Sequence, residues 1–167
     1  TTRRDLDSTT TDMALDAIKN DPKLLKAKST VVYHPEWHKG VIGIVASRLI
    51  EVYYRPTIVL THSNGLVTGS ARSIKDFDIY DAIDECSDLL EHFGGHKYAA
   101  GLSLRPDNLD AFRTKFEGVV DRIFPDEMPS PEVEVDLKIN LNEIGSKFFK
   151  VLKQFAPFGP GNMSPVF

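Results

Sequence analysis

The stretch Glu91–Leu104, EHFGGHKYAAGLSL, places three glycines and two alanines within eight residues, around one histidine. Gly94 and Gly95 allow positive φ angles and a close approach of the backbone to another group, and His96 follows them directly. The small residues Ala99–Gly101 indicate a strand against which something packs closely. A helix C-cap glycine followed by the start of a strand is the alternative explanation. We predict a turn that presents backbone amides and an imidazole to a phosphate.

Strand and helix patterns alternate on both sides of this stretch. Short apolar or β-branched runs predict strands at Thr30–Tyr33, Thr57–Thr61, Leu66–Arg72 and Ala99–Leu104. Ser63-Asn64-Gly65 is a hairpin signal between two of them. Apolar residues at helical spacing predict helices at Val41–Tyr54, from an Asp78 cap to Phe93, and from an Asp107 cap to Ile123. An α/β fold follows, with a mixed sheet of about five strands and packed helices.

Three prolines within residues 125–131 predict a domain boundary. The expected parts are the end of a linker helix at residues 1–29, one domain at 30–124, and a linker with the incomplete start of a second domain at 125–167. In the first part the helical pattern is clearest at Asp12–Asn20. The last part is expected to be a short strand-helix extension, with an alternating strand at Val133–Leu141 and a helix at Asn142–Phe155.

Composition and charge narrow the class of protein. The chain has 167 residues, 41% of them hydrophobic, and no apolar run of about 18 residues, so we expect no membrane-spanning segment. Its one cysteine, Cys86, has no internal disulfide partner, which favours a reducing, cytoplasmic location. The net charge is −4, but residues 31–75 hold five Lys or Arg against two acids, whereas residues 76–91 hold seven acids and no Lys or Arg. An anionic ligand is therefore expected at the first segment.

Three polar loops are predicted to meet at one edge of the sheet, namely His34–Gly40, Gly69–Ser73 and Gly94–His96. The helix that begins near Val41 offers free amides to an anion. Ser70 and Arg72 point to the same side of a strand, where Arg72 can bind phosphate with two parallel hydrogen bonds. A surface ion pair is the alternative role for Arg72. The candidate phosphate-binding residues are His34, His38, Lys39, Gly40, Ser70, Arg72, Ser73, Gly94, Gly95 and His96.

No metal site is predicted in this chain. His34 and His38 are four residues apart, as are His92 and His96, but Pro35 interrupts the first pair and two glycines interrupt the second. No cluster of carboxylates and histidines suits two catalytic metals, and there is no P-loop. The residues by themselves therefore indicate a protein that binds phosphates rather than one that hydrolyses them.

Three motifs in this order carry a family resemblance: YHPEWHKGVIGIVASRL at residues 33–49, GSARSI at 69–74 and FGGHKYAAGLSL at 93–104. Together they resemble the DHH-associated domain of the RecJ family, single-strand-specific 5′→3′ DNA exonucleases of the DHH phosphoesterase superfamily. The closing APFGPGNMSPVF, residues 156–167, resembles the stretch that leads this family into its OB-type domain. The resemblance covers about residues 30–167.

The resemblance implies the substrate-binding part of an exonuclease that acts in DNA repair and recombination. A metal-binding domain with an Asp-His-His motif and two Mn²⁺ or Mg²⁺ ions would precede Thr1, so this chain alone is expected to be inactive. Ser70 and Arg72 would recognise the 5′ end of the strand. Gly94, Gly95 and His96 would contact the backbone near the scissile phosphate, with His96 as a catalytic contact in the transition state. Single-stranded DNA is the implied ligand, and single-strand-binding protein an implied partner.

Two other functions remain open. One is a DHH phosphoesterase for short oligonucleotides or cyclic dinucleotides, against which the long extension Pro157–Phe167 argues. The other is a non-catalytic RNA-binding appendage, as the associated domain is used in alanyl-tRNA synthetase. The His-Pro-Glu-Trp-His motif at His34–His38 is not expected in such an appendage.

Overall fold

The structure, a computed structural model, describes residues 3–167 and forms two compact units that meet in sequence between Ser130 and Pro131. The helices are α1 (Arg3–Lys19), α2 (Pro22–Lys26), α3 (Ile42–Val52), α4 (Ile79–Asp84), α5 (Leu109–Ile123) and α6 (Ser146–Leu152). The strands are β1 (Thr30–Tyr33), β2 (Thr57–Ser63), β3 (Leu66–Arg72), β4 (His92–His96) and β5 (Ala99–Leu104). Within residues 3–167, no helix has both the length and the apolar character that a membrane span requires.

The five strands of the first unit form one mixed sheet in the order β1-β2-β3-β5-β4. β1 and β2 are parallel and joined through α3, whereas all other neighbours are antiparallel. Asn64 and Gly65, with φ of 53° and 77°, make the tight turn between β2 and β3. The predicted mixed five-stranded α/β fold is therefore confirmed.

Two apolar cores cover this sheet unequally. On one side, α4 and α5 pack over inward-facing residues of four strands, including Val31, Leu60, Val67 and Leu102. On the other side, α1 and α3 pack over β1 and β2, around Val32 and Val59. Strand β2 is thus buried on both faces from Thr57 to Thr61, as its continuous apolar run predicts. The second side of β3, β5 and β4 has no such apolar cover among the core residues.

The buried side chain of Arg55 joins α2 to the sheet. Its Nε donates to the Thr30 hydroxyl at 2.7 Å, and its Nη2 donates to the Leu24 carbonyl at 2.9 Å. Its Nη1 donates to the Leu25 and Ala27 carbonyls. Asp21 caps α2 by accepting a hydrogen bond from the Lys23 amide at 2.8 Å. The two leading helices are therefore fastened to the same unit as the sheet.

The prediction of a turn at Gly94–His96 is wrong, because these residues form the second half of edge strand β4. The helix predicted up to Phe93 is also too long, since α4 ends at Asp84 and a short 3-10 turn follows at Ser87–Leu89. Glycine disfavours helix, and pairing with β5 satisfies the backbone of this segment instead. The apolar stripe is real, but two different elements carry it: Ile83 lies on α4, whereas Phe93 lies on β4.

The two predicted helix caps have different outcomes. Asp78 caps α4, since its carboxylate accepts hydrogen bonds from the amides of Tyr80 and Asp81 at 3.0 and 3.2 Å. Asp107 does not cap α5, because it lies inside a 3-10 turn and Asn108 holds the cap position without a side-chain hydrogen bond. Helix α1 is longer than the pattern predicted.

The second unit differs most from its prediction. Residues 131–140 contain no strand, so the strand predicted at Val133–Leu141 is wrong for the described chain. A strand needs a neighbour that pairs with it residue by residue, and the hydrogen bond from the Asp136 amide to the Val166 carbonyl, at 2.9 Å, does not extend into such a ladder. The predicted helix Asn142–Phe155 is divided around Gly145, which precedes α6. The limits predicted for the three parts of the chain, residues 1–29, 30–124 and 125–167, stay predictions.

Candidate nucleic-acid interface

On the side away from α4 and α5, strands β3, β5 and β4 present small and polar residues, and α3 packs against β3. Every second residue of β3 and β5 is buried under α4 and α5, and the alternate residues point the opposite way. The strand register arranges those alternate residues in three rows: Arg72–Ala99–His96, Ser70–Gly101–Gly94 and Thr68–Ser103–His92. We call these nine residues the open face. It contains one arginine and two histidines and no carboxylate.

The glycines at this surface differ in what the fold requires of them. Gly95 has a φ of +151°, and a Cβ there would lie 2.4 Å from the Ala99 carbonyl oxygen, so the fold itself demands glycine. Gly94 would place a Cβ in open space, with no heavy atom within 4 Å. A Cβ at Gly101 would meet nothing closer than 3.9 Å. Internal packing therefore does not explain Gly94 or Gly101, and their small size leaves the centre of the open face bare for an external group.

Arg72 and Ser70 form a preset pair at one end of this surface. Arg72 Nη1 donates to Ser70 Oγ at 2.9 Å and to the Ala71 carbonyl at 2.8 Å. Among the described residues no carboxylate forms an ion pair with Arg72, which argues against the alternative of a surface ion pair. Burial lowers the pKa of Arg72 from its ordinary value, because the partly dehydrated guanidinium is less well solvated. Such a group gains more from an anionic partner than a fully hydrated one does.

Helix α3 forms a wall beside this pair at Gly43. A Cβ at Gly43 would lie 2.8 Å from Arg72 Nη2 and 3.1 Å from Ser70 Oγ, so only glycine admits the guanidinium in this position. The resulting cleft of about 310 Å³ is lined by Lys39, Gly40, Ile42, Gly43, Ile44, Thr68, Gly69, Ser70 and Arg72. No side chain caps the start of α3. The first and second predicted loops therefore meet here, across the N-terminal turn of a helix.

Three histidines share one local arrangement. Nδ1 of His34, His38 and His96 each accepts a hydrogen bond from the amide two residues further on, at 3.3, 3.0 and 3.3 Å respectively. Since Nδ1 accepts, a neutral ring carries its proton on Nε2. Each ring is thus held as a donor at Nε2, which is the atom that could reach a phosphate oxygen.

Trp37 anchors the His34–Gly40 loop to the apolar core beneath α1 and α3. The His34 ring stacks on the buried Trp37 ring, with 5.5 Å between centroids. The Thr61 hydroxyl donates to the Trp37 carbonyl at 2.6 Å, which ties the loop to β2. These contacts anchor the loop to the core.

The remaining predicted residues have separate positions. Gly94 and His96 lie on the open face two strands from β3, about 10 Å from the backbone of Ser70 and Arg72. Ser73 uses its hydroxyl within its own loop, donating to the Phe77 carbonyl at 2.6 Å. The motif-based prediction missed Gly43 and Gly101. Gly43 could have been identified from the sequence, because a glycine in the first turn of an apolar helix is unfavourable unless something packs closely against it.

The described residues do not offer a site for catalytic metals. Within residues 3–167, no group of three or more His, Cys, Asp or Glu side chains is arranged to hold a metal ion.

The chain is similar to known proteins over nearly its whole length. The chain is 35% identical to the single-stranded-DNA-specific exonuclease RecJ of Bacillus subtilis over 98% of its own length, and 33% identical to that of Escherichia coli over 93%. It covers 21% and 29% of those two proteins, so it spans less than a third of their length. A crystal structure of RecJ from Thermus thermophilus in complex with Mn²⁺ matches with a TM-score of 0.83 at 32% identity, over 99% of this chain and 24% of that one.

Two family profiles match separate parts of the chain. The profile of the RecJ OB domain matches residues 135–167, and that of the DHHA1 domain matches residues 26–122, more than half of the chain. The resemblance to RecJ carried by the three motifs is thereby confirmed. The chain belongs to the DHHA1 domain family.

Proposed function

We propose that this chain is the substrate-binding part of a single-strand-specific 5′→3′ DNA exonuclease that acts in repair and recombination in the cytoplasm. The observation that carries the proposal is the open face, where Arg72 and Ser70 stand against the first turn of α3 beside a bare, carboxylate-free sheet surface. Nucleic-acid backbones bind where cations and donors face phosphates and no acid opposes them. The relatives described above are single-stranded-DNA-specific exonucleases.

In this function Arg72 and Ser70 bind the 5′-terminal phosphate. The guanidinium donates through the edge that the Ser70 and Ala71 oxygens leave available, and α3 adds the positive end of its dipole. The backbone of the strand then crosses the bare floor at Gly94 and Gly101. Sequence-independent contacts of this kind fix register without reading bases.

His96 acts on the phosphate that is cleaved. Its Nε2 proton points away from the Nδ1 acceptor bond and donates to a non-bridging oxygen, neutralising charge that develops in the transition state. An Asp-His-His domain outside this chain would hold two Mn²⁺ or Mg²⁺ ions, which would supply the Lewis-acid chemistry. The isolated 167-residue chain is accordingly inactive, with or without added Mn²⁺.

The test uses single-turnover cleavage of single-stranded DNA by the full-length protein at saturating enzyme. His96→Ala should lower the rate about 10²–10³-fold with little loss of affinity, the scale for removing one donor to a developing charge. His62→Ala is the matched control, because His62 is exposed on the same sheet but outside the open face. A normal rate with a lowered melting temperature for His96→Ala would show that the ring only supports the backbone.

The terminal phosphate is tested separately through substrate preference. Arg72→Ala should reduce the preference for a 5′-phosphate over a 5′-hydroxyl end by about 1.5–3 kcal/mol, the cost of a lost hydrogen bond to a charged group. Preference for short oligonucleotides or cyclic dinucleotides would instead favour a phosphoesterase, and preference for RNA would favour an RNA-binding appendage. The match to the RecJ OB domain supports the exonuclease over both. Single-strand-binding protein is the proposed partner.

A further inference from the structure

The row Thr68–Ser103–His92 belongs to the open face, but the function proposed above gives its three side chains no individual role. We propose that this row is a second phosphate subsite, which binds the backbone of the same strand beyond the phosphate held by Arg72 and Ser70. The inference rests on the proposed function, because it extends the path of the same ligand.

The strand register places this subsite in line with the first. Thr68 pairs with Ser103, and Ser103 pairs with His92, so the three side chains leave the sheet on the same side as Arg72. Each row lies two residues from the next, about 7 Å along the strands, so the proposed subsite lies about 14 Å from the Arg72 row. An extended single strand spans that separation with a small number of nucleotides.

The chemistry of the row suits a phosphate. It offers two hydroxyl donors, from Thr68 and Ser103, and one imidazole, from His92, and within the described chain none of these side chains makes a hydrogen bond or an ion pair. Thr68 also lines the cleft that contains Arg72, which makes the two subsites continuous. Three uncommitted donors beside the anion site proposed at Arg72 are well placed for the next phosphate of the same strand.

The surface between the rows favours a nucleic-acid strand over a protein partner. Gly94 and Gly101 leave the floor bare, so a backbone can lie directly on the sheet between the Arg72 row and the His92 row. The open face lacks the large apolar side chains that form the centre of protein interfaces, and it has no carboxylate to repel phosphate. The alternative is a solvated strand edge with no ligand.

The experiment measures binding to the full-length protein without divalent metal, so that no cleavage occurs. The probes are 5′-phosphorylated oligothymidylates from the dinucleotide to the octanucleotide, each competing with a fluorescent strand. His92→Ala should leave dinucleotide affinity unchanged and weaken longer strands about 2- to 12-fold, the range of one hydrogen bond. His62→Ala should bind every length like the wild type, and Ser103→Ala should repeat the length dependence. Melting temperatures of the variants show whether the fold is retained.

The Arg72→Ala variant distinguishes the second subsite from the proposed function on which it rests. If Arg72→Ala weakens all lengths while His92→Ala changes none, the second subsite is overturned and the proposed function stands. If His92→Ala weakens the dinucleotide as much as the octanucleotide, the subsite is also overturned, because the effect does not depend on reaching the third row. If Arg72→Ala has no effect at any length, the proposed function itself fails.

Discussion

Replacing Gly43 by alanine tests whether the shape of the cleft, rather than its charge, determines recognition of the 5′ end. The new Cβ would lie 2.8 Å from Arg72 Nη2 and 3.1 Å from Ser70 Oγ. Ordinary contact begins at about 3.5 Å, so Nη2 must retreat by about 0.7 Å and Oγ by about 0.4 Å. The far end of an arginine can move this much at low cost, so we expect the fold to survive and the preset pair to be lost.

The expected changes in stability and function have opposite signs. Alanine is favoured over glycine in a helix by up to about 1 kcal/mol, so the melting temperature of Gly43→Ala should be unchanged or higher. Losing a hydrogen bond to a charged group costs about 1.5–3 kcal/mol, so the preference for a 5′-phosphate over a 5′-hydroxyl should fall by about tenfold or more. No charge is added or removed, so the salt dependence of binding to the 5′-hydroxyl strand should stay the same.

The assay compares Kd values for two strands of identical sequence that differ only in the 5′ group. Gly118→Ala is the control, since Gly118 is exposed on α5 and a Cβ there would meet no heavy atom within 4 Å. An unchanged 5′-phosphate preference in Gly43→Ala, with Arg72→Ala clearly impaired, would refute the inference that α3 positions the guanidinium.

Three further predictions concern the fold around the site. Gly95→Ala should destabilise the protein, because its Cβ would meet the Ala99 carbonyl oxygen at 2.4 Å, whereas Gly94→Ala should melt normally and yet bind single-stranded DNA more weakly. Arg55→Ala should lower the free energy of unfolding by about 2–3 kcal/mol in a denaturant titration, because the buried Thr30 hydroxyl and the part-buried Leu24 carbonyl lose their donor. Burial raises the pKa of Cys86 from 9.0 to about 11, so stability should fall as the pH rises from 9 towards 11. Unfolding curves at about pH 8 and pH 10 check this, and Cys86→Ala should show a smaller fall.

The strands that the sequence predicted well are those with local signals. Thr30–Tyr33 and Leu66–Arg72 were predicted with the bounds that the structure has, because β-branched runs and a period of two are properties of a short segment. Strand β4 has no such signal, since His92–His96 contains two glycines and becomes a strand only by pairing with β5. Its formation is a non-local event that periodicity does not detect.

In the candidate site, too, local features were predictable from the sequence and non-local contacts were not. That Ser70 and Arg72 share a side follows from alternation along one strand, and the register agrees. The contact of Gly43 with Arg72 joins residues far apart in sequence, so only the folded chain reveals it. The same is true of the alignment of His96 with Arg72 across β5. Arg55 follows a helix just before Pro56 and carries no sequence signal of burial, yet it is a buried structural arginine, and truncating it would confound any binding assay.

The repeated histidine arrangement gives each of His34, His38 and His96 two chemically distinct ends. One ring nitrogen holds a backbone amide, and the other is left as a donor. Alanine removes both ends at once. Asparagine carries an acceptor near the position of Nδ1, whereas glutamine carries a donor near the position of Nε2. Paired isosteric replacements can therefore separate the support that each ring gives to its own loop from the contact that it offers to a ligand.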